Sequence, residues 1–284
     1  MTTEPSTPGA HTDPSASGAG PSRSGAIPAG QDLHPTRLDG RVAIVTGSGQ
    51  NIGRAIALRL AQAGAAVVVN GSKSRAKVDL VVDEIKQAGG RAIGVMADVG
   101  DPAQVGRMVD EAVAAFGHVD IAVSNVGRRL HKPFETITDD DWDTAIRTNL
   151  SACFYLARRV VPMMRERHWG RIIHVSGYDG FTGHLTNRAY NIAAKAGMHG
   201  FSKALGKEMG PHGITANTVV PGAIDTDRDW SQYPGAVIEE VRNRIPVRRW
   251  GHVDDLAYAC VYLCTTGGFV NGQTLHLNGG EFMF

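Results

Sequence analysis

The chain has 284 residues, of which 42% are hydrophobic and 20% are charged, and its formal net charge at pH 7 is +1. This composition is typical of a soluble globular protein with one large core, and it excludes a fibrous protein. A charge so close to zero provides no field to attract nucleic acid or an anionic membrane, so we expect a small-molecule substrate and neither of those partners.

The first 36 residues are rich in Pro, Gly, Ser and Thr and contain almost no large apolar side chains. Such a segment cannot bury enough apolar surface to offset the entropy of ordering. It also lacks the continuous apolar stretch of a secretory signal, and no later segment has the apolar length of a transmembrane helix. We therefore predict a disordered tail at 1–36, one folded domain at 37–284 and a cytoplasmic location.

From Arg41 onward, short β-branched runs alternate with longer segments of helical spacing. The six candidate strands read RVAIVT, AAVVVN, RAIGVMADV, VDIAVSN, GRIIHVS and GITANTVV. Each run is too apolar for a strand with one face in water, which indicates a parallel sheet covered on both faces. Repeated βα units with right-handed crossovers predict a single α/β domain of the doubly wound, Rossmann-like kind.

A glycine-rich turn, TGSGQNIG, follows the first strand directly. Gly47 permits a tight turn, Gly49 keeps side chains away, and Gly53 lets the next helix approach the sheet. Backbone N–H groups at the start of that helix would then face a pyrophosphate. Alone, this turn is equally consistent with a plain βα connection, but its place between the first strand and the first helix favours a dinucleotide site.

The end of the second strand, NGSKSR, contains no carboxylate. Sites specific for NAD usually place Asp or Glu there to hold the ribose hydroxyls. A hydroxyl at Ser72 beside the cations Lys73 and Arg75 favours a 2′-phosphate instead, so the pattern predicts NADP(H) in preference to NAD(H). The alternative is that both cations simply begin a solvated helix.

The three cysteines, Cys153, Cys260 and Cys264, cannot form a paired framework. No further ligands lie near them in sequence, so we predict buried thiols and no metal site.

Six motifs in order make the chain resemble the short-chain dehydrogenase/reductase family, close in pattern to the 3-oxoacyl carrier-protein reductases. TGSGQNIG resembles TGxxxGxG with Asn51 in place of the middle glycine, and SNVG at 124–127 resembles NNAG. The others are ADV at 97–99, NL at 149–150, PGAIDT at 221–226, which resembles PGxIxT, and FVNGQTLHLNGG at 269–280. The resemblance runs from about Leu38 to Phe284 and implies a mainly parallel sheet of seven strands.

The resemblance implies an oxidoreductase that interconverts a ketone and a secondary alcohol by hydride transfer with NADP(H). In such enzymes a tyrosine supplies the proton, a lysine lowers the tyrosine pKa, a serine orients the carbonyl and a helix asparagine completes the proton path. The predicted catalytic residues are Asn149, Ser176, Tyr190 and Lys195. The predicted cofactor-binding residues are Gly47, Ser48, Gln50, Asn51, Ile52, Asn70, Ser72, Lys73, Asp98, Val99, Asn125, Gly127, Lys195, Pro221, Gly222, Ile224 and Thr226.

Two catalytic positions depart from the family pattern by one residue. Counted from the fifth strand, the serine position falls at Gly177, so Ser176 lies one residue early. Counted back from Lys195, the tyrosine position falls at Asn191, so Tyr190 also lies one residue early.

Three interpretations of this displacement stay open. A wide turn or π-type bulge at the start of the helix would bring Tyr190 over Lys195. Alternatively, Asn191 occupies the tyrosine position and Tyr178 or His184 supplies the proton, because an amide is no acid near neutral pH. In the third, the protein binds NADP(H) without redox turnover.

Residues 227–250 correspond to the substrate lid of the family and contain Trp230, Tyr233 and several arginines. After the fourth strand come Arg128, Arg129 and His131, which we expect at the same entrance to the substrate site. Aromatic rings and cations there are compatible with an aromatic or carboxylated carbonyl compound, and equally with a solvated loop.

The chain ends in the apolar residues Phe282, Met283 and Phe284. In similar proteins this end packs against a neighbouring subunit. We therefore predict a homotetramer that assembles through the long fourth and fifth helices and the C-terminal end.

Overall fold

A seven-stranded parallel sheet forms the centre of the domain. The computed structural model describes residues 35–129, 131–183, 186–227 and 235–284, so residues 1–34 of the predicted tail and His184 lie outside the described residues. The strands are β1 (Val42–Val45), β2 (Ala66–Gly71), β3 (Arg91–Met96), β4 (Ile121–Ser124), β5 (Gly170–Val175), β6 (Ile214–Pro221) and β7 (Thr274–Leu277). Their order is β3-β2-β1-β4-β5-β6-β7, which confirms the predicted fold class.

Eight α-helices connect the strands in the described part of the chain: α1 (Asn51–Gln62), α2 (Arg75–Gln87), α3 (Pro102–Phe116), α4 (Asp139–Ile146), α5 (Ala152–Glu166), α6 (Ala189–Met209), α7 (Gly235–Arg244) and α8 (Val253–Cys264). A π-helical segment, Arg147–Ser151, joins α4 to α5 without a break. The predicted fourth long helix is therefore the run 139–166, and the fifth is α6.

The two faces of the sheet are covered by different helices. Ala43 and Val45 of β1 pack with α1, α2 and α8, whereas Ile44 between them packs with α3 and α5 on the other face. Successive side chains of a strand point to opposite faces, so a central strand covered on both sides has to be apolar throughout. This explains why the strand sequences lack polar alternation.

Local capping fixes several helix ends. The Asp101 carboxylate accepts hydrogen bonds from two backbone N–H groups at the start of α3, and Gly117 ends that helix with φ +89°. Thr138 and Asp141 form a reciprocal capping box at the start of α4. Side-chain caps of this kind satisfy the backbone groups that a helix end leaves unpaired.

The predicted lid at 227–250 is described in part. It contains α7, whereas Trp230 and Tyr233 lie outside the described residues. No helix among the residues that the structure describes is both long and apolar enough to cross a membrane.

Candidate active site

The glycine-rich turn lies at the carboxyl edge of the sheet, where the strand order reverses between β1 and β4. Gly47 has φ +61°, and a Cβ at Gly53 would stand 2.3 Å from the Gly47 carbonyl oxygen, so neither position accepts a side chain without displacement. The Asn125 amide donates to the carbonyl oxygens of Thr46 and Gly47 at 3.1 and 3.2 Å. The turn is thus held close to the end of β4, which is the usual place for a nucleotide in this kind of sheet.

Two of the predicted cofactor residues hold the backbone of the turn. The buried Asn70 side chain accepts from the Gly47 N–H at 3.1 Å and donates to the carbonyl oxygens of Val95 and Ala97. The Ser48 hydroxyl donates to the Val45 carbonyl oxygen at 2.6 Å. Both side chains thus bond to backbone groups and help to shape the turn, which the sequence reasoning did not anticipate.

The outer end of β2 presents polar groups to solvent. Ser72 and Lys73 are exposed. Arg75, by contrast, forms an ion pair with Asp79 at 2.9 Å within α2. At the end of neighbouring β3, Asp98 is exposed and accepts from the Gly100 N–H at 2.9 Å.

Asn51 connects the turn to the beginning of the lid. It has φ +51°, a left-handed conformation that Gly and Asn tolerate best, which explains how it replaces the middle glycine of the motif. Its side-chain oxygen accepts from the Asp227 N–H at 2.7 Å. A cavity of about 620 Å³ lies beside this contact, lined in part by Gln50, Asn51, Lys77 and Thr226. The open volume, the glycines and the first N–H groups of α1, which have no partner within the helix itself, fit a nucleotide pyrophosphate.

Further along the sheet edge, β6 ends at Pro221, and the following Gly222 lies against the end of β7. A Cβ at Gly222 would stand 2.6 Å from the Cβ of Asn278. Ile224 is buried and forms a bridge to Gly251, which holds the connection to Thr226 in place.

Asn149 lies in the π-helical segment and is buried. Its side-chain oxygen accepts from the Arg128 N–H at 2.9 Å, and its amide donates to the carbonyl oxygens of Arg128 and Ala145 at 3.1 and 2.9 Å. The wider π-helical turn therefore contains Asn149, and such turns often occur at functional sites.

The bulge that was one of three interpretations for the start of the Lys195 helix does not occur. Helix α6 is α-helical throughout Ala189–Met209, and the Ile192 N–H donates to the Arg188 carbonyl oxygen in the ordinary i to i−4 pattern. On a regular helix Asn191 shares a face with Lys195, whereas Tyr190 is rotated by about 140° from it. That interpretation is wrong because the first turn is regular.

Lys195 is buried beneath the carboxyl edge of the sheet, and its ammonium donates to the Val175 carbonyl oxygen at 3.1 Å. An ideal Cβ at Gly127 would stand 3.6 Å from Lys195 Nζ and 3.7 Å from Asn149 Oδ1, so the two side chains approach the same point. Burial lowers the pKa of Lys195 to about 8. The structure thus brings together the predicted Asn149, Lys195 and Gly127.

Ser176 and Gly177 follow β5 and differ in what they face. The Ser176 hydroxyl donates to the Lys195 carbonyl oxygen at 3.3 Å and lies 3.1 Å from His199 Nε2, so it is buried against α6. A Cβ at Gly177 would meet no atom within 4 Å. The position that the family gives to its serine is thus open space, and Ser176 bonds elsewhere.

The two tyrosines of the predicted site have different surroundings. Tyr190 is fully buried, and its hydroxyl has no hydrogen-bond partner among the described residues. Burial raises its pKa, with a further contribution from Asp141. The Tyr178 ring stacks on Phe282 at 4.9 Å between centroids, and burial followed by the carboxylates of Asp179 and Glu281 raises its pKa.

Comparison with known proteins identifies the family. The family profile described as enoyl-(acyl carrier protein) reductase matches residues 47–281. The hydroxy(phenyl)methylsuccinyl-CoA dehydrogenase subunit BbsD of Thauera aromatica is 37% identical over 248 residues, which cover 87% of this chain and 98% of that protein. A 3-oxoacyl carrier-protein reductase of Staphylococcus aureus is 35% identical over 242 residues, which cover 85% and 98%.

Solved structures show the same architecture. A gluconate 5-dehydrogenase from Burkholderia cenocepacia, in complex with NADP and tartrate, superposes with a TM-score of 0.80 at 34% identity and covers 88% of this chain and 98% of that one. A 7α-hydroxysteroid dehydrogenase complexed with NADH gives a TM-score of 0.82 at 32% identity and covers 88% and 97%. The chain belongs to the short-chain dehydrogenase/reductase family of NAD(P)-dependent oxidoreductases, and it is similar to the 3-oxoacyl carrier-protein reductases.

Proposed function

We propose that the protein interconverts a ketone and a secondary alcohol with NADP(H). The observation that carries this proposal is the approach of Lys195 Nζ and Asn149 Oδ1 to one point at the sheet edge, beside the nucleotide turn. The nicotinamide, when bound, supplies or accepts the hydride. The chain's own groups hold the nucleotide, orient the carbonyl and move the proton.

The proposal of NADP(H) rests on the outer end of β2. No carboxylate occurs from Asn70 to Arg75, and Ser72 and Lys73 are exposed. Lys73 has no ion-pair partner in the part of the chain that the structure describes, so its ammonium is available for a 2′-phosphate. Arg75 contributes less than the sequence indicated, because Asp79 already pairs with it.

Turnover assays test the function directly. We expect oxidation of NADPH with some member of a panel of ketones and hydroxy compounds, including sugar acids and acyl thioesters, at a kcat/KM at least tenfold above that with NADH. Lys73→Glu is expected to reverse much of that preference through charge repulsion with the phosphate, and Lys86→Glu near the far end of the following helix α2 is the control. Equal rates with both nucleotides would contradict the cofactor assignment.

A second candidate function is nucleotide binding without redox turnover. Gly177 and Asn191 favour it, because they stand where the family carries its hydroxyl groups. NADPH titration cannot separate the two functions, since both require binding. Absence of turnover across the whole panel, with NADPH bound in the micromolar range, would favour this second function.

We further propose a cytoplasmic homotetramer. The thiols of Cys153, Cys260 and Cys264 are free and buried, which is compatible with a reducing compartment. At the C-terminal end, Met283 and Phe284 are 82% and 66% exposed, and Phe154 on α5 is 45% exposed. Apolar surface of this kind favours burial between subunits. Sedimentation as a stable monomer would contradict the assembly.

A further inference from the structure

The site lacks a hydroxyl at each of the two positions where the family pattern has one. Asn191 lies one helical turn before Lys195 on the same face of α6, and Gly177 leaves open space at the end of β5. A carboxamide donates hydrogen bonds but does not release a proton near neutral pH. The chain therefore needs a different acid if it moves a proton.

Neither tyrosine near the site combines a suitable position with a suitable acidity. Tyr190 projects from another side of α6, and the charges that act on its hydroxyl are Asp141, Lys132 and Arg128. Tyr178 is a weaker acid than an exposed tyrosine, because burial and two carboxylates oppose its ionisation. Both hydroxyls thus hold their protons more tightly than an ordinary phenol.

Lys195 lies directly under the surface of the site. Gly127 is exposed and has no side chain. A Cβ at this position would stand 3.6 Å from Lys195 Nζ, so any larger residue here would cover the ammonium. The ammonium has three N–H donors. Within the described residues, one of them bonds to the Val175 carbonyl oxygen. Its two further N–H donors can bond to a group that enters beside Gly127.

The charges around Lys195 come from every element that packs on it. Burial is the main cause of its low pKa; Cys153 of α5 and Asp179 of the turn at 178–180 act in the opposite direction, and Arg129 of the β4–α4 connection adds to the decrease. His174 and His199 also face it, and burial holds both neutral by lowering their pKa values to about 3 and 4. An ammonium with a pKa of about 8 exchanges its proton near neutral pH, as a general acid requires.

We propose that Lys195 is itself the catalytic acid and base of this enzyme. This inference rests on the proposed function. In reduction, an Nζ–H bond breaks and an O–H bond forms on the substrate oxygen as the carbonyl carbon gains the hydride with its electron pair. Water then reprotonates the neutral amine. In oxidation, the neutral amine accepts the hydroxyl proton.

The first test is independent of catalysis. In protein labelled at lysine with ¹³C and ¹⁵N, one side-chain signal, absent from Lys195→Arg, is expected to titrate between pH 7 and 9, two or more units below the other lysines. Asn191→Ala should retain that titration. If every lysine titrates near pH 10, the assignment is overturned.

The second test measures turnover of the full chain. Lys195→Met is expected to lower kcat by 10²-fold or more, and the matched exposed variant on the same helix, Lys207→Met, should leave it unchanged. Tyr190→Phe and Tyr178→Phe are expected to lower kcat less than tenfold. Added ethylamine should restore part of the activity of Lys195→Ala, with a pH dependence that follows the added amine.

The outcomes separate this inference from the proposed function. Loss of turnover in Tyr178→Phe or Tyr190→Phe, together with no rescue of Lys195→Ala by amines, would overturn the role of Lys195 and leave the oxidoreductase function intact. A wild-type protein that binds NADPH but turns over no ketone or alcohol in the panel would overturn the proposed function and the role of Lys195 with it.

Discussion

At the scale of single residues, two glycines of the candidate site differ in whether a side chain could replace their hydrogen atom. Gly53 lies so close to the Gly47 carbonyl oxygen that a Cβ would overlap it, whereas a Cβ at Gly177 would enter open space. Gly177 has φ −168°, an extended conformation that any residue adopts. The absence of a serine there is therefore a chemical difference from the family pattern and not a steric necessity.

A pair of alanine variants tests this distinction. Gly177→Ala is expected to change the free energy of unfolding by less than about 1 kcal/mol, because the new methyl group meets no atom and φ is permissive. Gly53→Ala is expected to destabilise by about 1–3 kcal/mol, since the turn or the helix has to move. Urea unfolding measures both. Equal costs would show that the two glycines are under the same constraint.

At the scale of elements, the Asn51 side chain joins the glycine-rich turn to the start of the predicted lid. The Asn51 oxygen accepts from the Asp227 N–H, directly after Thr226, so the position of this predicted cofactor-binding residue is tied to the turn. A glycine in the middle of the motif would have no side chain to make this bond. The substitution thus converts a purely conformational position into a contact between two elements.

Removing that contact should loosen the start of the lid. Asn51→Gly keeps the left-handed conformation but loses the acceptor, and one hydrogen bond contributes about 0.5–1.5 kcal/mol. We expect the Asp227 amide to exchange its hydrogen about 2–10-fold faster. Gln50→Ala is the control, because it removes a different contact of the same turn, the hydrogen bond from Lys77 to the Gln50 side chain. Unchanged exchange at Asp227 would show that the lid is held by other contacts.

At the scale of the whole molecule, a buried polar layer lies between the sheet and α6. His174 Nδ1 lies 2.7 Å from the Ser202 hydroxyl, which lies 2.8 Å from Thr218 Oγ1. His199 lies between the Ser176 and Thr274 hydroxyls. Burial lowers the pKa of both histidines, so the folded state holds them neutral. Their protonation is then linked to unfolding of the whole domain.

The sign of this linkage predicts acid sensitivity. In the unfolded chain, these histidines have a pKa of about 6.5. Below that pH the unfolded chain binds protons that the folded chain does not bind, so the free energy of unfolding falls as pH decreases. The loss continues to about pH 3 for His174 and about pH 4 for His199, the pKa values of the folded state. Each group contributes a slope of up to about 1.4 kcal/mol per pH unit. Thermal unfolding from pH 7 to 4 measures it, and His174→Asn should flatten the curve.

The fold was largely predictable because its determinants are local and periodic. Apolar runs of strand length alternate with helical segments from Arg41 onward, and runs that are apolar on both sides pack only in a covered parallel sheet. The glycine positions of the nucleotide turn are likewise fixed by backbone geometry at a known point between strand and helix. The sequence therefore determined the class of fold and the place of the glycine-rich turn, and it predicted Asn149 and Lys195 as catalytic residues.

Which side chain shares a helix face with Lys195 depended on the tertiary structure. One extra residue between Tyr190 and Lys195 is compatible with a bulged or a regular helix, and these place different side chains over the lysine. The structure shows that α6 is a regular helix. The direction of each side chain depends on how many residues every turn contains, and the sequence does not state that number. The tertiary structure also shows where the side chains of Ser176, Asn70 and Asn51 point, because each bonds to a residue that is distant in sequence.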